Sequence, residues 1–145
     1  GDSYYGIKKL IIAFDYYEMS LALNSENINL LNNYSYYLAL EKVNLDRAKE
    51  LILKVIDKFP DNSTYNDTYG WVMFQREEYE EAEQILFNAV IKDGGKSGEI
   101  LEHYGDVLFK LDKKKKAITF WGKAKATGEY SKELIQKINE NKFIE

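Results

Sequence analysis

The chain has 145 residues, 45% of them hydrophobic and 30% charged, with a net charge of −4 and a pI near 5.2. That is ordinary folding material for one domain, and its weakly acidic balance argues against sequence-independent binding to nucleic acid, which needs clustered Lys and Arg. Cysteine is absent, which excludes disulfides and Cys-based zinc sites, and no apolar run approaches the roughly 20 residues of a membrane span.

The first residues, Gly1-Asp2-Ser3-Tyr4-Tyr5, carry neither a Met nor the basic start and apolar run of a signal peptide. The chain therefore reads as a piece of a longer protein, and its compartment stays open between cytoplasm and cell envelope. Apolar residues then recur at helical spacing from end to end. Helices are expected over 7–23, 29–41 and 45–58. In the last of these Leu51, Ile52, Val55, Ile56 and Phe59 share one face. Pro60, the single proline, closes that run in Lys58-Phe59-Pro60-Asp61 because its ring and missing N–H cannot continue a helix. Further helices are expected over 63–76 and 79–92, where Ile85, Leu86, Ala89 and Val90 form the apolar face. Asp93-Gly94-Gly95 stops the second of these, since glycine accepts the left-handed conformation at low cost. The last three are expected over 98–111, 114–127 and 131–142. Asn44 and Ser131 each precede an apolar periodic run and are the expected N-caps. No stretch alternates strictly between apolar and polar residues, so the class is all-α.

A register recurs along these helices. Tyr34-Ser35, Tyr69-Gly70 and Tyr104-Gly105 are spaced by 35 residues. Ala48, Ala82 and Ala117 follow each pair after 12 or 13 residues, and Val55, Ala89 and Ala124 stand seven further on. Self-similarity at such a period means stacked supersecondary units, whose function lies in a shared surface rather than one catalytic constellation.

These residues resemble the tetratricopeptide repeat (TPR), a helix-turn-helix of about 34 residues. The middle repeat carries the pattern most fully in Tyr69-Gly70-Trp71-Val72, Tyr79-Glu80-Glu81-Ala82, Leu86 and Ala89-Val90. Gly70 and Ala82 fall where helices A and B cross, and a larger side chain there would push them apart. In the first repeat Ser35 replaces the glycine; in the third, Lys114 stands where the family prefers an aromatic. The resemblance implies a right-handed TPR solenoid with a partial repeat at 1–27, repeats at 28–62, 63–97 and 98–130, and a capping helix within 131–145. In that cap Leu134, Ile135, Ile138 and Phe143 would cover the last apolar face, with Lys132, Glu133, Lys137 and Glu140 as its polar back. It further implies the C-terminal part of a larger bacterial protein with more repeats upstream.

In the TPR family the A helices line a concave groove that holds a peptide or another protein. Matched position by position, the groove here comprises Asn29, Asn32, Tyr36 and Ala39, then Thr64, Asp67, Trp71 and Phe74, then Glu99, Glu102, Asp106 and Phe109, with Tyr5 at its near end. The Lys, Asn and Arg clamp that chaperone-binding TPRs close on a C-terminal carboxylate is missing, because Asn32, Asp67 and Glu102 fall where cations are wanted. An acidic, aromatic groove favours a basic or apolar segment, by complementary charge and by stacking faces. The expected function is thus a non-enzymatic scaffold or adaptor. The alternative is a structural segment that self-associates or completes a longer solenoid, with Tyr4, Tyr5 and Ile7 at a cut edge suited to a homodimer.

Other motifs carry less. Gly95-Lys96-Ser97 has the tail of a P-loop, but Val90 stands where its first glycine is needed and no strand precedes it. His103, the one histidine, lacks evident further ligands beyond Glu99 and Glu102, so no metal or cofactor is expected. An enzymatic reading would rest on Asp67, Glu102, His103 and Asp106, yet carboxylate pairs occur on any acidic helical surface. Lys113 to Lys116 read as a solvated turn, and the sequons at Asn33, Asn62 and Asn66 as chance matches.

Overall fold

The computed structural model describes residues 3–144, with side chains from residue 6 onward. Among the described residues eight helices follow one another: α1 (Ser3–Leu23), α2 (Ile28–Glu41), α3 (Leu45–Lys58), α4 (Ser63–Gln75), α5 (Tyr79–Asp93), α6 (Gly98–Lys110), α7 (Lys114–Thr127) and α8 (Leu134–Glu140). No strand occurs among the described residues. Most boundaries fall within a residue of those expected. The exceptions are α1, which begins earlier, and α8, which is shorter at both ends.

The turn chemistry repeats with the sequence. Asn27, Asn62 and Ser97, again 35 apart, cap α2, α4 and α6: each side-chain oxygen accepts the N–H three residues on, at 3.1, 3.0 and 3.3 Å. The turns that follow those helices share a left-handed residue, Lys42, Glu77 and Asp112, at φ 56°, 64° and 63°. The next N–H in each case reaches back to a helix carbonyl, from Val43 to Leu38, Glu78 to Met73 and Lys113 to Leu108. Gly94 ends α5 in the left-handed conformation, as its sequence indicated.

Two expected caps differ. Asn44 does precede α3, but it is itself left-handed (φ 46°) and its side chain makes no capping bond. Ser131 does not cap α8, which starts at Leu134 after Glu133. The Ser131 N–H and hydroxyl instead bind the two carboxylate oxygens of Glu102 on α6, which holds residues 131–133 against the solenoid.

The hairpins α2–α3, α4–α5 and α6–α7 stack, and α2, α4 and α6 also touch in series. Their cores hold the recurring small residues. Ala48, Ala82 and Ala117 have no exposed surface, nor do Leu51, Leu86 and Trp121. A Cβ on Gly70 would lie 2.5 Å from Leu86 Cγ, and one on Gly105 would lie 2.4 Å from Trp121 Cδ1, so each glycine is where helices A and B approach too closely for a side chain. Ser35 meets the same constraint differently: its hydroxyl is buried and donates to the Ala48 carbonyl at 2.8 Å, a bond across the hairpin that glycine lacks.

The expected polar back of α8 needs one correction. Lys137 does not face solvent. Its side chain is 5% exposed and its ammonium lies 2.8 Å from both Glu102 and Asp106 on α6. The buried Leu134 confirms the apolar side of the helix, but Lys137 points inward because two buried carboxylates need a cation.

Candidate functional site

The inner faces of α2, α4 and α6 form a concave surface, and α8 with the residues after it borders it beyond α6. A cavity of about 720 Å³ opens there, walled by Tyr36, Leu40, Trp71, Tyr130, Phe143 and Ile144, with Glu99, Glu129 and Glu133 among its acidic groups. Of the expected groove residues, Tyr36, Trp71, Glu99, Glu102 and Asp106 line this cavity, and the others lie outside its lining.

The floor is a ladder of polar pairs between successive inner helices. Asp67 of α4 accepts a hydrogen bond from His103 Nδ1 of α6 at 2.8 Å, and both are buried. Burial works against a charged imidazole, yet Asp67, helped by Glu99 and Asp106, more than offsets it and holds His103 up to about 9. Trp71 is sandwiched between Phe74 (centroids 4.4 Å apart, planes 7° apart) and the His103 ring (4.0 Å, 20°). Its indole Nε1 is buried without a hydrogen-bond partner, as is Oδ1 of Asn32.

One step along, Glu102 and Asp106 share Lys137. Burial raises the Asp106 carboxyl to about 6, although Lys137 and His103 pull it down. Burial also disfavours the Glu102 carboxylate, but Lys137 and Ser131 outweigh it and keep that group below its usual range. The Asp106 Oδ1 that meets Lys137 also accepts from the Trp121 indole at 3.0 Å.

The rim is more open. Asn29 and Thr64 are exposed, and Asn29 accepts from Tyr65 at 3.3 Å. Glu99 is exposed and accepts from the Tyr36 hydroxyl at 2.6 Å, across from α2 to α6. Burial and that carboxylate push the Tyr36 phenol well above the ordinary tyrosine range. Ala39 is buried in the core. Phe109 stacks on Trp121, 5.8 Å between centroids, with the Lys114 ammonium 5.8 Å from its ring. The side chains of Tyr4 and Tyr5 lie outside the described ones.

His103, Lys137, Ser131 and Phe143 belong to this surface and were not among the groove residues read from sequence. For Lys137 the signal was present: Asn32, Asp67, Glu102 and Lys137 are 35 residues apart, so α8 continues the inner-helix register. Phe143 has no such marker. It reaches the groove because Asn141, left-handed at φ 54°, turns the chain after α8.

Chemically, the floor is largely committed. Asp67, Glu99 and His103 offer three donor atoms within 4.8 Å of one another, an arrangement able to hold a divalent cation, but the Asp67–His103 pair is already satisfied as a hydrogen bond. Of the residues an enzymatic reading would use, Asp67 faces His103 while Glu102 and Asp106 face Lys137. The Ser131 hydroxyl is bound to Glu102 rather than to the imidazole.

No protein-family model matches the sequence, and no curated protein sequence matches it. The architecture does have likenesses among solved structures. The TPR domain of Sgt2 from Aspergillus fumigatus gives a TM-score of 0.70 at 16% identity, over 79% of this chain and 76% of that one. The second TPR domain of human RPAP3, solved in complex with the HSP70 peptide SGPTIEEVD, gives 0.65 at 18% identity, over 79% and 93%. YrrB, described as a TPR protein with an unusual peptide-binding site, gives 0.62 at 23% identity, over 86% and 60%. The chain is a helical-repeat solenoid of stacked α-hairpins. Its fold is that of the tetratricopeptide repeat proteins. No helix among the described residues is long and apolar enough to cross a membrane.

Proposed function

We propose that the chain is a non-enzymatic protein-interaction scaffold whose concave groove receives a partner segment of basic or apolar character. The observation that carries this reading is the cavity on the inner face, whose aromatic walls and acidic groups make one surface. Exposed Asn29, Thr64 and Glu99 are the direct contacts. Tyr36, Trp71, Phe74 and Phe109 supply apolar area, and the buried Asp67, Glu102 and Asp106 with the half-buried Asn32 shape the floor and its field. Peptide binding by two proteins of the same fold supports the reading. The chemistry of the ligand differs from that of SGPTIEEVD, since an acidic peptide meets acidic groups here.

The test is fluorescence anisotropy with two labelled nonapeptides, SGPTIEEVD and its charge-reversed form SGPTIKKVK, at low and high salt. The reading expects the basic peptide to bind and the acidic one not, with affinity falling as salt screens the groove. Glu99→Lys, at an exposed position, should weaken the basic peptide about tenfold with the helical content retained, although the Tyr36 hydroxyl loses its acceptor. Equal binding of both peptides, or none at millimolar concentration, would refute it.

A second reading, self-association or completion of a longer solenoid, is favoured by α1. Ile7, Ile11, Ile12, Tyr16, Met19 and Leu23 are all more than half exposed along that one helix, an apolar row suited to another helix. A sedimentation series separates the possibilities: a dimer disrupted by Ile12→Lys supports a homodimer, and a monomer at high concentration sinks it.

A further inference from the structure

The groove is partly filled by the chain's own residues after α8. After α8, Asn141 turns left-handed and the Lys142 N–H returns to the Lys137 carbonyl at 3.2 Å, which directs the next residues across α6. Phe143 thereby meets Phe74 of α4 edge-on, with 5.5 Å between centroids and 63° between planes. The ammonium groups of Lys110 and Lys137 lie 4.8 and 5.2 Å from the Phe143 ring centroid. Phe143 and Ile144 then form part of the cavity wall.

The two halves of this segment are held very differently. Lys137 makes two short ion pairs in the interior, on a helix anchored by the buried Leu134. Residues 141–144 make ring contacts of the surface type, and Phe143 and Ile144 are only partly buried. Weak contacts of that kind stand against the conformational entropy of ordering several residues. Residues 141–144 are therefore the part of the groove that can leave while α8 stays.

We propose that residues 141–144 are a displaceable plug, and that the groove's partner is a segment of the aromatic–aliphatic type that Phe143-Ile144 exemplifies. The partner's ring takes the place of Phe143 on Phe74, between Lys110 and Lys137. This inference rests on the groove reading above and specifies its ligand and its control. Binding costs the release of a tethered competitor, whose effective concentration is of millimolar order, so the intact chain binds such partners more weakly than its bare groove would.

The experiment titrates the acetylated, amidated peptide NKFI, which copies residues 141–144, into the wild-type chain and into the Phe143→Ala, Ile144→Ala variant. The readout is the Trp71 indole N–H signal in nuclear magnetic resonance. Trp71 stacks on Phe74 and its N–H is unbonded, whereas the Trp121 N–H is bound to Asp106. The expected result is a saturable shift at least about tenfold tighter in the variant than in the wild type, as removal of a tethered competitor demands. The control peptide NKAI should give no shift. Equal affinities in the two proteins, or no shift in a variant that retains its indole dispersion, would overturn the plug. If SGPTIKKVK still binds both proteins in that case, the groove reading survives; if it binds neither, both fall.

Discussion

Replacing Lys137 with Met tests the least expected feature of this fold. Methionine keeps the length and the apolar stem of the side chain and removes only the ammonium. Two carboxylates then lose a cation at 2.8 Å in a site where the three side chains are 5%, 5% and 2% exposed. Glu102 retains the Ser131 N–H and hydroxyl, and Asp106 retains only the Trp121 indole. Breaking one side of a buried pair costs about 3–5 kcal/mol, a large share of the roughly 5–15 kcal/mol that a domain of this size has in total. The loss should depend on pH. Burial already holds Asp106 at about 6 with Lys137 present, and removing the cation raises it further. The folded variant then keeps a proton that the unfolded chain releases near 3.8, so stability falls as pH rises from about 4 through the folded value. Urea unfolding followed by tryptophan emission should show the full penalty at pH 8 and a visibly smaller one at pH 5. Adding Asp106→Asn to the variant should restore part of the loss at pH 8. A penalty under about 1 kcal/mol at pH 8, or one that does not narrow at pH 5, would refute the assignment of Lys137 as the buried counter-charge.

His103 gives a second pH window. Its folded value is raised from 6.5 to about 9, so the protonated pair with Asp67 contributes fully below about pH 6.5 and is lost as pH rises through 9. That shift corresponds to as much as about 3 kcal/mol. Wild type should exceed His103→Gln in stability at pH 6, and the gap should close by pH 9.5; parallel curves would contradict it. Gly105→Ala places a methyl 2.4 Å from the Trp121 ring and 3.2 Å from the Ala117 carbonyl, so the α6–α7 hairpin must open. Thermal melts should show a loss of about 1–3 kcal/mol, against almost none for Gly122→Ala, where nothing lies within 4 Å of the added carbon.

How far the sequence reached can be followed at single positions. The tyrosine–small pairs at 34–35, 69–70 and 104–105 located the helix crossings because a stacked repeat puts the same packing problem at the same register each time. Glycine answers it at 70 and 105, and Ser35 answers it with a hydroxyl to Ala48. The caps Asn27, Asn62 and Ser97 carry the same period and could have been read alongside it. In these cases local backbone geometry and a repeated core suffice, and both are written in residue spacing.

The groove shows where spacing stops. A position list of its inner helices contains Asp67, Glu99, Glu102 and Asp106 with no Lys or Arg, and so describes an open acidic surface. In the folded chain three of those four are buried, paired with His103 or Lys137, and only Glu99 stays exposed. The pairs link residues 31 to 36 positions apart, and the Tyr36–Glu99 bond spans 63. Periodicity placed each side chain on the inner face, but whether its charge meets water or a partner depends on which neighbouring helix brings a counter-charge within a few ångströms. The sequence by itself determined the all-α repeat and its register. Only the tertiary structure decided that Lys137 turns inward and that Phe143 crosses to Phe74, because burying a charge or seating a ring is settled by contacts between helices.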